Sequence, residues 1–445
     1  MLSSVIQSGA DIPRTMYVIN ESAETLSKMN LENNAIQTNV VATGQMPNQI
    51  AVHNDMIYVV NSGSDNIMGI DPKNDSQIKQ TIALPEGSNP WAIGFVGAQK
   101  AYITNWLANT VAVIDLKSGT VVKEIEVGTA PQGILVYGNK AFIANTGYNI
   151  SSYTYSQSSV SIIDVINDSV THTVAVPTNA QEFAVDPVGR IHVMCTGDYM
   201  TVSGQVAVMD VHDPVPTVID TIEFGWIEAG AVTFAPGDIE ITKDGKGYCI
   251  AWGDGTNGFL CSYDALEDSV LRSAANPILV GPNVSQLHFD AKENALWIPY
   301  MTMWGGDGFV QKFDVQLDSV VWISGVLGNG TKSLAILEPV QQTAVQHESL
   351  NQAIEFHLSQ NYPNPFNPTT NISFSVDRTR HVELKIYNAM GQEITTLVNG
   401  MKPQGTHQVK WDGRDYYGNM VTSGIYLYRL KSGNNTHIRK MTFIK

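Results

Sequence analysis

Cysteine is scarce in this chain: Cys195, Cys249 and Cys261 are the only three in 445 residues. None stands in a C-x-x-C pair, so neither a disulfide framework nor a zinc ribbon is written here. Cys249 and Cys261 read as neighbours on two strands of one hairpin, which leaves buried free thiols or a single bridge open. Long apolar runs are missing too. No stretch approaches the ~18 to 20 residues that a membrane helix requires, so no transmembrane segment is expected. The opening "MLSSVIQSGADIP" lacks the basic start and apolar centre of a secretory signal. Basic residues are few, with 26 lysines and arginines against 42 aspartates and glutamates and a net charge of −16. Such an excess of acid argues against nucleic acid as a partner. A long helical period is likewise absent; what alternates does so with period two.

What is present is a repeat. An aromatic residue or His, two apolar or small residues, and usually Asn recur at Tyr17, Tyr58, Tyr102, Phe142, His192, Tyr248 and Trp297. A short strand ending in Asp follows most of them, at Asp71, Asp115, Asp164, Asp210, Asp264 and Asp314, with Asn30 in the first copy. A period of ~40 to 50 residues built from short strands signals a propeller. Asp and Asn at strand ends bond turn backbone with their own side chains, so these residues are read as turn chemistry. Each unit supplies four strands, the innermost following a Pro-like turn, as in "PNQIAV", "PWAIGFV" and "PQGILVY". The chain enters this grammar at a second strand, Tyr17, and the last unmatched innermost strand is "SLAILEP" at 333–339. The two ends therefore complete one blade, and the expected fold is an all-β, seven-bladed β-propeller over 15–339, after an N-terminal extension of 1–14.

The phrases "YVVN", "YITN" and "FIAN", each followed by an Asn or Ser turn and then a strand such as "VAVID", resemble the YVTN-repeat β-propellers. That family spans surface-layer proteins, periplasmic propellers and lactonase-like relatives, so the resemblance implies fold rather than activity.

After "ILEP" the text turns polar over 340–358, a segment read as a linker. From residue 359 the segments "ISFSV", "VELKIYN", "QEITTLV", "HQVKW", "GIYLYRL" and "RKMTFIK" alternate strictly, as in a small Ig-like β-sandwich. Charge changes with the pattern. Residues 359–445 hold 11 basic and 5 acidic residues, leaving 15 basic and 37 acidic residues in 1–358. The stretches "NYPNPFNP", "KIYNAMGQEI", "WDGRDYYGNMVTSGIYLYRL" and the final "KMTFIK" resemble the C-terminal sorting domain of the type IX secretion system in its flagellar hook-capping, Ig-like form. This resemblance implies export to the outer-membrane surface or beyond in a Bacteroidota-like bacterium, with the secretion machinery as partner of residues 359–445 and a signal peptide already trimmed.

The repeat also sorts loops by face. One face receives Trp91, Trp106, Tyr148, Tyr153, Tyr155, Tyr199, Trp226, Trp252 and Trp304. Rings flanked by Asn, Asp and Gly suit an unknown extracellular ligand, glycan, peptide or surface protein, by stacking. The other arrangement is that these rings fold inward and plug the propeller. The channel mouth is read from the positions after each turn Pro: Asn48, Gln132, Gln181, Glu182, Asp238, Gln286 and Lys332, with Gln49, Ser285 and Ser333 beside them. Such a ring holds water or a cation, or satisfies inner-strand backbone groups through ordered water. Two turns, "WGDGTNGF" with Asp254 and "WGGDGF" with Asp307, match no complete calcium loop and are read as turns.

Enzyme motifs are missing. There is no P-loop, G-x-S-x-G elbow, H-E-x-x-H or sialidase-type Asp box, and His53, His172, His192, His212 and His288 have no metal-ligand spacing. Catalytic residues, cofactors and metals are accordingly expected to be none. The reading is a secreted or cell-surface binding module, against a lactonase- or lyase-like enzyme and a structural envelope or matrix protein.

Overall fold

The structure, a computed structural model, describes residues 12–339 apart from 74–76, 212, 214, 229–231, 234, 254 and 285, and residues 356–444 apart from 359–360, 362, 377–379, 389–390, 403–404 and 434. The chain divides into two compact units, 1–347 and 348–445.

The first unit contains seven antiparallel blades of four strands each, the fifth and sixth each carrying one further short strand. Blade 1 runs through Pro47–His53, Met56–Asn61, Asn66–Ile70 and Ile78–Ala83, and blade 2 through Pro90–Val96, Lys100–Asn105, Thr110–Asp115 and Thr120–Glu126. Blades 3 to 6 begin at Pro131–Tyr137, Ala180–Val185, Pro236–Ile241 and His288–Asp290. The seventh takes its innermost strand from Thr331–Leu337 and its other three from Thr15–Asn20, Thr25–Asn30 and Ile36–Ala42. Tyr17 lies opposite Ala335 and Met16 opposite Ile336, so the two ends of the unit are hydrogen-bonded into one sheet. Closure of this kind leaves no inner edge exposed.

Alternation explains the core. Second and third strands are apolar on both faces because each blade is covered by a neighbour on either side; Val111–Ile114, for example, are all buried. Outermost strands face solvent and alternate, as Thr120–Glu126 does. The strand-end acids do turn work. Asp115 Oδ1 accepts the N–H groups of Lys117 and Ser118 at 2.8 and 3.0 Å, and Asp164, Asp264, Asp314 and Asn30 accept theirs in the same way. Cys249 and Cys261 face each other across Lys246–Ala251 and Gly258–Asp264, and both are free and buried, as is Cys195.

Two boundaries differ from the sequence reading. Residues 1–11 of the expected extension lie outside the described residues, but Ile12 packs on the core and Arg14 is buried, its guanidinium bonded to Asp290, Glu293 and Glu338 at 2.6–2.7 Å. The propeller therefore starts before residue 15, because closing the seventh blade brings Arg14 against the turn of the sixth. Residues 340–355 of the expected linker also lie outside the described residues. Its last residues do not behave as linker. Phe356 and Leu358 are buried, and His357–Leu358 pairs with Thr370–Val376.

The second unit packs a three-stranded sheet, His357–Leu358, Thr370–Val376 and Gly405–Trp411, on a four-stranded one, Glu393–Lys402, Arg380–Asn388, Gly424–Ser432 and Asn435–Phe443. Its core gathers Trp411, Phe366, Tyr428, Phe374 and Phe443 between the sheets. This is an Ig-like sandwich by sheet count and packing. The protein is thus all-β, a seven-bladed propeller followed by a C-terminal Ig-like domain.

Candidate functional site

Inner strands line a central cavity of about 890 Å³. Asn48, Gln132, Gln181, Glu182, Asp238, Gln286 and Lys332 all line it, as do Gln49 and Ser333, while Ser285 lies outside the described residues. In four of the blades a side chain near or just before the start of the inner strand bridges to the next blade. Gln49 Oε1 accepts the Ile93 N–H at 2.7 Å, Asp238 Oδ2 that of Leu287 at 2.7 Å, Gln286 Oε1 that of Leu334 at 3.0 Å, and Ser333 Oγ that of Ile50 at 3.4 Å. Side chains thus satisfy inner-strand donors directly where ordered water was one expectation. At the equivalent place in blade 3 stands Gly133, where an added Cβ would fall 2.0 Å from the Gln181 carbonyl oxygen.

One sector of the wall is acidic. Glu182 comes from blade 4, and Asp238 and Glu240 come from blade 5, two residues apart on one strand face. Burial, together with the charges of the other two, pushes Glu182 well above the usual carboxylate range. Burial likewise raises Asp238 to about 7 against its two backbone N–H bonds, and it raises Glu240, beside Asp238, to about 8. His288, next along the wall, is pushed down by burial. Lys332 does not neutralise the sector, because its ammonium is bonded to Glu21 at 2.8 Å. Glu240 and His288 escaped the sequence reading, which stopped two residues into each inner strand; strand alternation from Asp238 would have found Glu240.

The aromatic residues fall into two groups. Trp91, Trp106, Tyr148 and Tyr155 form a partly buried chain, with ring centroids 6.0, 5.8 and 5.2 Å apart. Trp106, Tyr148, Tyr153, Tyr155 and Tyr199 surround a second cavity of about 310 Å³, which shares Gln132, Gln181 and Tyr199 with the channel. Its rings come from the second-to-third-strand connections of blades 2, 3 and 4, the last two forming most of the wall. Gly147 and Gly197 start these last two at φ of +74° and +82°, where an added Cβ would meet the carbonyl oxygens of Ser156 and Val202 across the loop. Asn179 joins them, donating from Nδ2 to the Tyr155 hydroxyl at 3.2 Å and to the Gly197 carbonyl at 3.0 Å. The Trp106 Nε1–H is buried with no hydrogen-bond partner.

The second group is Trp252 and Trp304, from blades 5 and 6, whose centroids lie 5.0 Å apart. They are 43% and 64% exposed, so they do not fold into the propeller as a plug. Trp252 also lines the channel. Trp226 belongs to the short strand Trp226–Glu228 ahead of blade 5, and nothing describes its side chain. Asp254 and His212 lie outside the described residues; among the described ones no three His, Cys, Asp or Glu side chains are grouped to hold a metal ion.

Residues 361–436 match the FlgD Ig-like domain family. No curated protein matches the chain by sequence. Among solved structures, a candidate 6-phosphogluconolactonase from Bacteroides fragilis is similar at a TM-score of 0.54 and 12% identity, over 76% of this chain and all of that one. A quinonprotein alcohol dehydrogenase-like protein from Bacteroides thetaiotaomicron gives a TM-score of 0.51 and 11% identity, over 74% of this chain and 79% of the other. Virginiamycin B lyase from Staphylococcus aureus gives 0.44 and 13%, over 62% and 82%. At such identities the first two likenesses speak to the propeller fold alone.

Proposed function

We propose that this protein is an exported surface binding module whose YVTN-type propeller holds an extended extracellular ligand, glycan or peptide, across its aromatic loop face. The observation that carries the reading is the continuity of that face: an exposed tryptophan pair, a wide channel and an aromatic pocket share lining residues on one side of the ring. Flat rings supply stacking area, and Gln132 and Gln181 supply orienting amides between the cavities. The tail is read as a type IX sorting domain that brings the propeller to the surface of a Bacteroidota-like bacterium; its FlgD Ig-like match and sandwich fold support this. The test is a glycan and peptide array probed with the intact chain and with Trp252→Ala/Trp304→Ala. The double variant is expected to lose about 2 kcal/mol or more of binding while melting within about 1 kcal/mol of the parent. A large fall in melting temperature, or array binding equal to the parent's, counts against the face.

A second reading, an enzyme of lactonase or lyase type, is favoured by Asp238 and Glu240 alone, since carboxyl groups that titrate near neutrality suit general acid–base catalysis. Turnover of lactones that vanishes in Asp238→Asn would establish it.

A further inference from the structure

The 310 Å³ pocket is a box rather than a platform. Trp106 and Tyr148 stack at an interplanar angle of 17°, and Tyr155 tilts 50° from Tyr148, so the rings lining the pocket do not share one plane. A sugar ring needs one flat face; a compact cation gains from several π faces at once. Two further rings stand at the rim. Tyr153 and Tyr199 are 77% and 55% exposed, and both sit in left-handed backbone, at φ of +56° and +64°, an unfavourable conformation for a bulky residue. Strain of this kind persists where surrounding structure enforces it, and here it puts two rings at one pocket mouth.

Charge selects among ligands. Among the described residues no lysine, arginine or histidine lines the pocket, whereas Asp198 does. Against a desolvation cost, the Thr201 hydroxyl donates to its Oδ2 at 2.5 Å and its Oδ1 accepts the N–H groups of Val202, Met200 and Thr201 at 2.7, 2.9 and 2.7 Å, which holds the carboxylate ionised, well below its usual range. An anionic ligand is thereby disfavoured, and a neutral one gains less from the ring quadrupoles than a cation does.

We infer that the pocket walled by Trp106, Tyr148, Tyr153, Tyr155 and Tyr199, with Asp198 beside them, is a cage for the alkylated ammonium group of a small organic cation. This rests on the binding reading of the loop face and names the chemistry of one subsite on it. Inside the box Asn179 Nδ2 donates to Tyr155 and Gly197 and Gln181 Nε2 to Tyr199, which among the described residues leaves few free hydrogen-bonding groups beside the Trp106 Nε1–H. A quaternary ammonium needs none: it offers methyl groups to the rings and a diffuse positive charge to their faces.

The experiment is calorimetric titration of the full chain with choline and with 3,3-dimethylbutan-1-ol, the same shape with carbon in place of nitrogen. Choline is expected to bind about 5- to 10-fold tighter than the neutral isostere, the contribution of charge over the rings. Tyr153→Ala is expected to weaken choline about 5-fold with unchanged melting, and Tyr153→Phe to retain it, since the ring and not the hydroxyl is used. No choline binding, or equal binding of the isostere, overturns the cage. That failure is separable from failure of the binding face. Array binding that still depends on Trp252 and Trp304 would leave the face standing without the cage, and choline binding with a silent array would do the reverse.

Discussion

Individual side chains here answer to burial before anything else. Asp238 and Glu240 each accept a backbone N–H from blade 6, Leu287 and Phe289, so a short acid at these places first serves to join blades. Enclosure then makes the charged form costly. Both folded values are raised, to about 7 and about 8, so the native state keeps protons that the unfolded chain releases near pH 4. Stability from these groups is therefore full below about pH 4 and is lost as pH rises towards 8. Glu240→Gln keeps an oxygen for the Phe289 N–H and removes the titration. It is expected to be more stable than the parent by about 2 kcal/mol or more at pH 9 and equal to it at pH 4.5, by thermal melting at the two values. A constant difference across that range would show that the carboxyl is already ionised at low pH.

Strands and turns were the most legible elements, because both are local. The acids at strand ends were readable from spacing alone, and so was the shared blade, since one unmatched inner strand and three unmatched outer strands can close only on each other. Deleting Thr331–Leu337 is expected to test this closure. It strips the partner from Thr15–Asn20 and removes buried Leu334 and Leu337, about 1.5 to 3 kcal/mol each. The truncated chain should melt about 5 °C or more below the parent. Melting as before would mean that the ring closes elsewhere. What the sequence did not disclose are bonds between blades. Lys100 reaches Asp168 at 2.8 Å, Arg190 reaches Asp268 at 2.6 Å and Lys246 reaches Asp318 at 2.5 Å, each from a second strand to the outer turn of the next blade. Sequence spacing shows every partner, but pairing them needs the rotation from one blade to the next. The aromatic face was legible as a set of loops. Its division into an exposed Trp pair and an enclosed box was not, because ring orientation depends on glycine-started loops meeting Asn179.

At the scale of the whole chain, two cores exist with separate means of support. The propeller is held by strand pairing between its own ends, and the Ig-like unit by Trp411, Phe366, Phe374 and Tyr428 within 356–444. Each of these core clusters is built from its own unit's residues, so residues 12–339 and 356–445 expressed separately should each fold and melt cooperatively. Their charges suit different tasks. The propeller side carries 37 acids against 15 bases, which suits a cationic ligand, while 359–445 carries 11 bases against 5 acids. If the tail is the export address, a soluble reporter fused ahead of residues 356–445 and given a periplasmic signal should reach the surface of a bacterium with a type IX system, measured by protease accessibility on whole cells. The same reporter fused to the propeller alone should stay protected in the periplasm. Equal protection of both fusions, with the tail shown to be folded, would make the Ig-like unit a spacer, and surface display by the propeller fusion would move the address to the first unit.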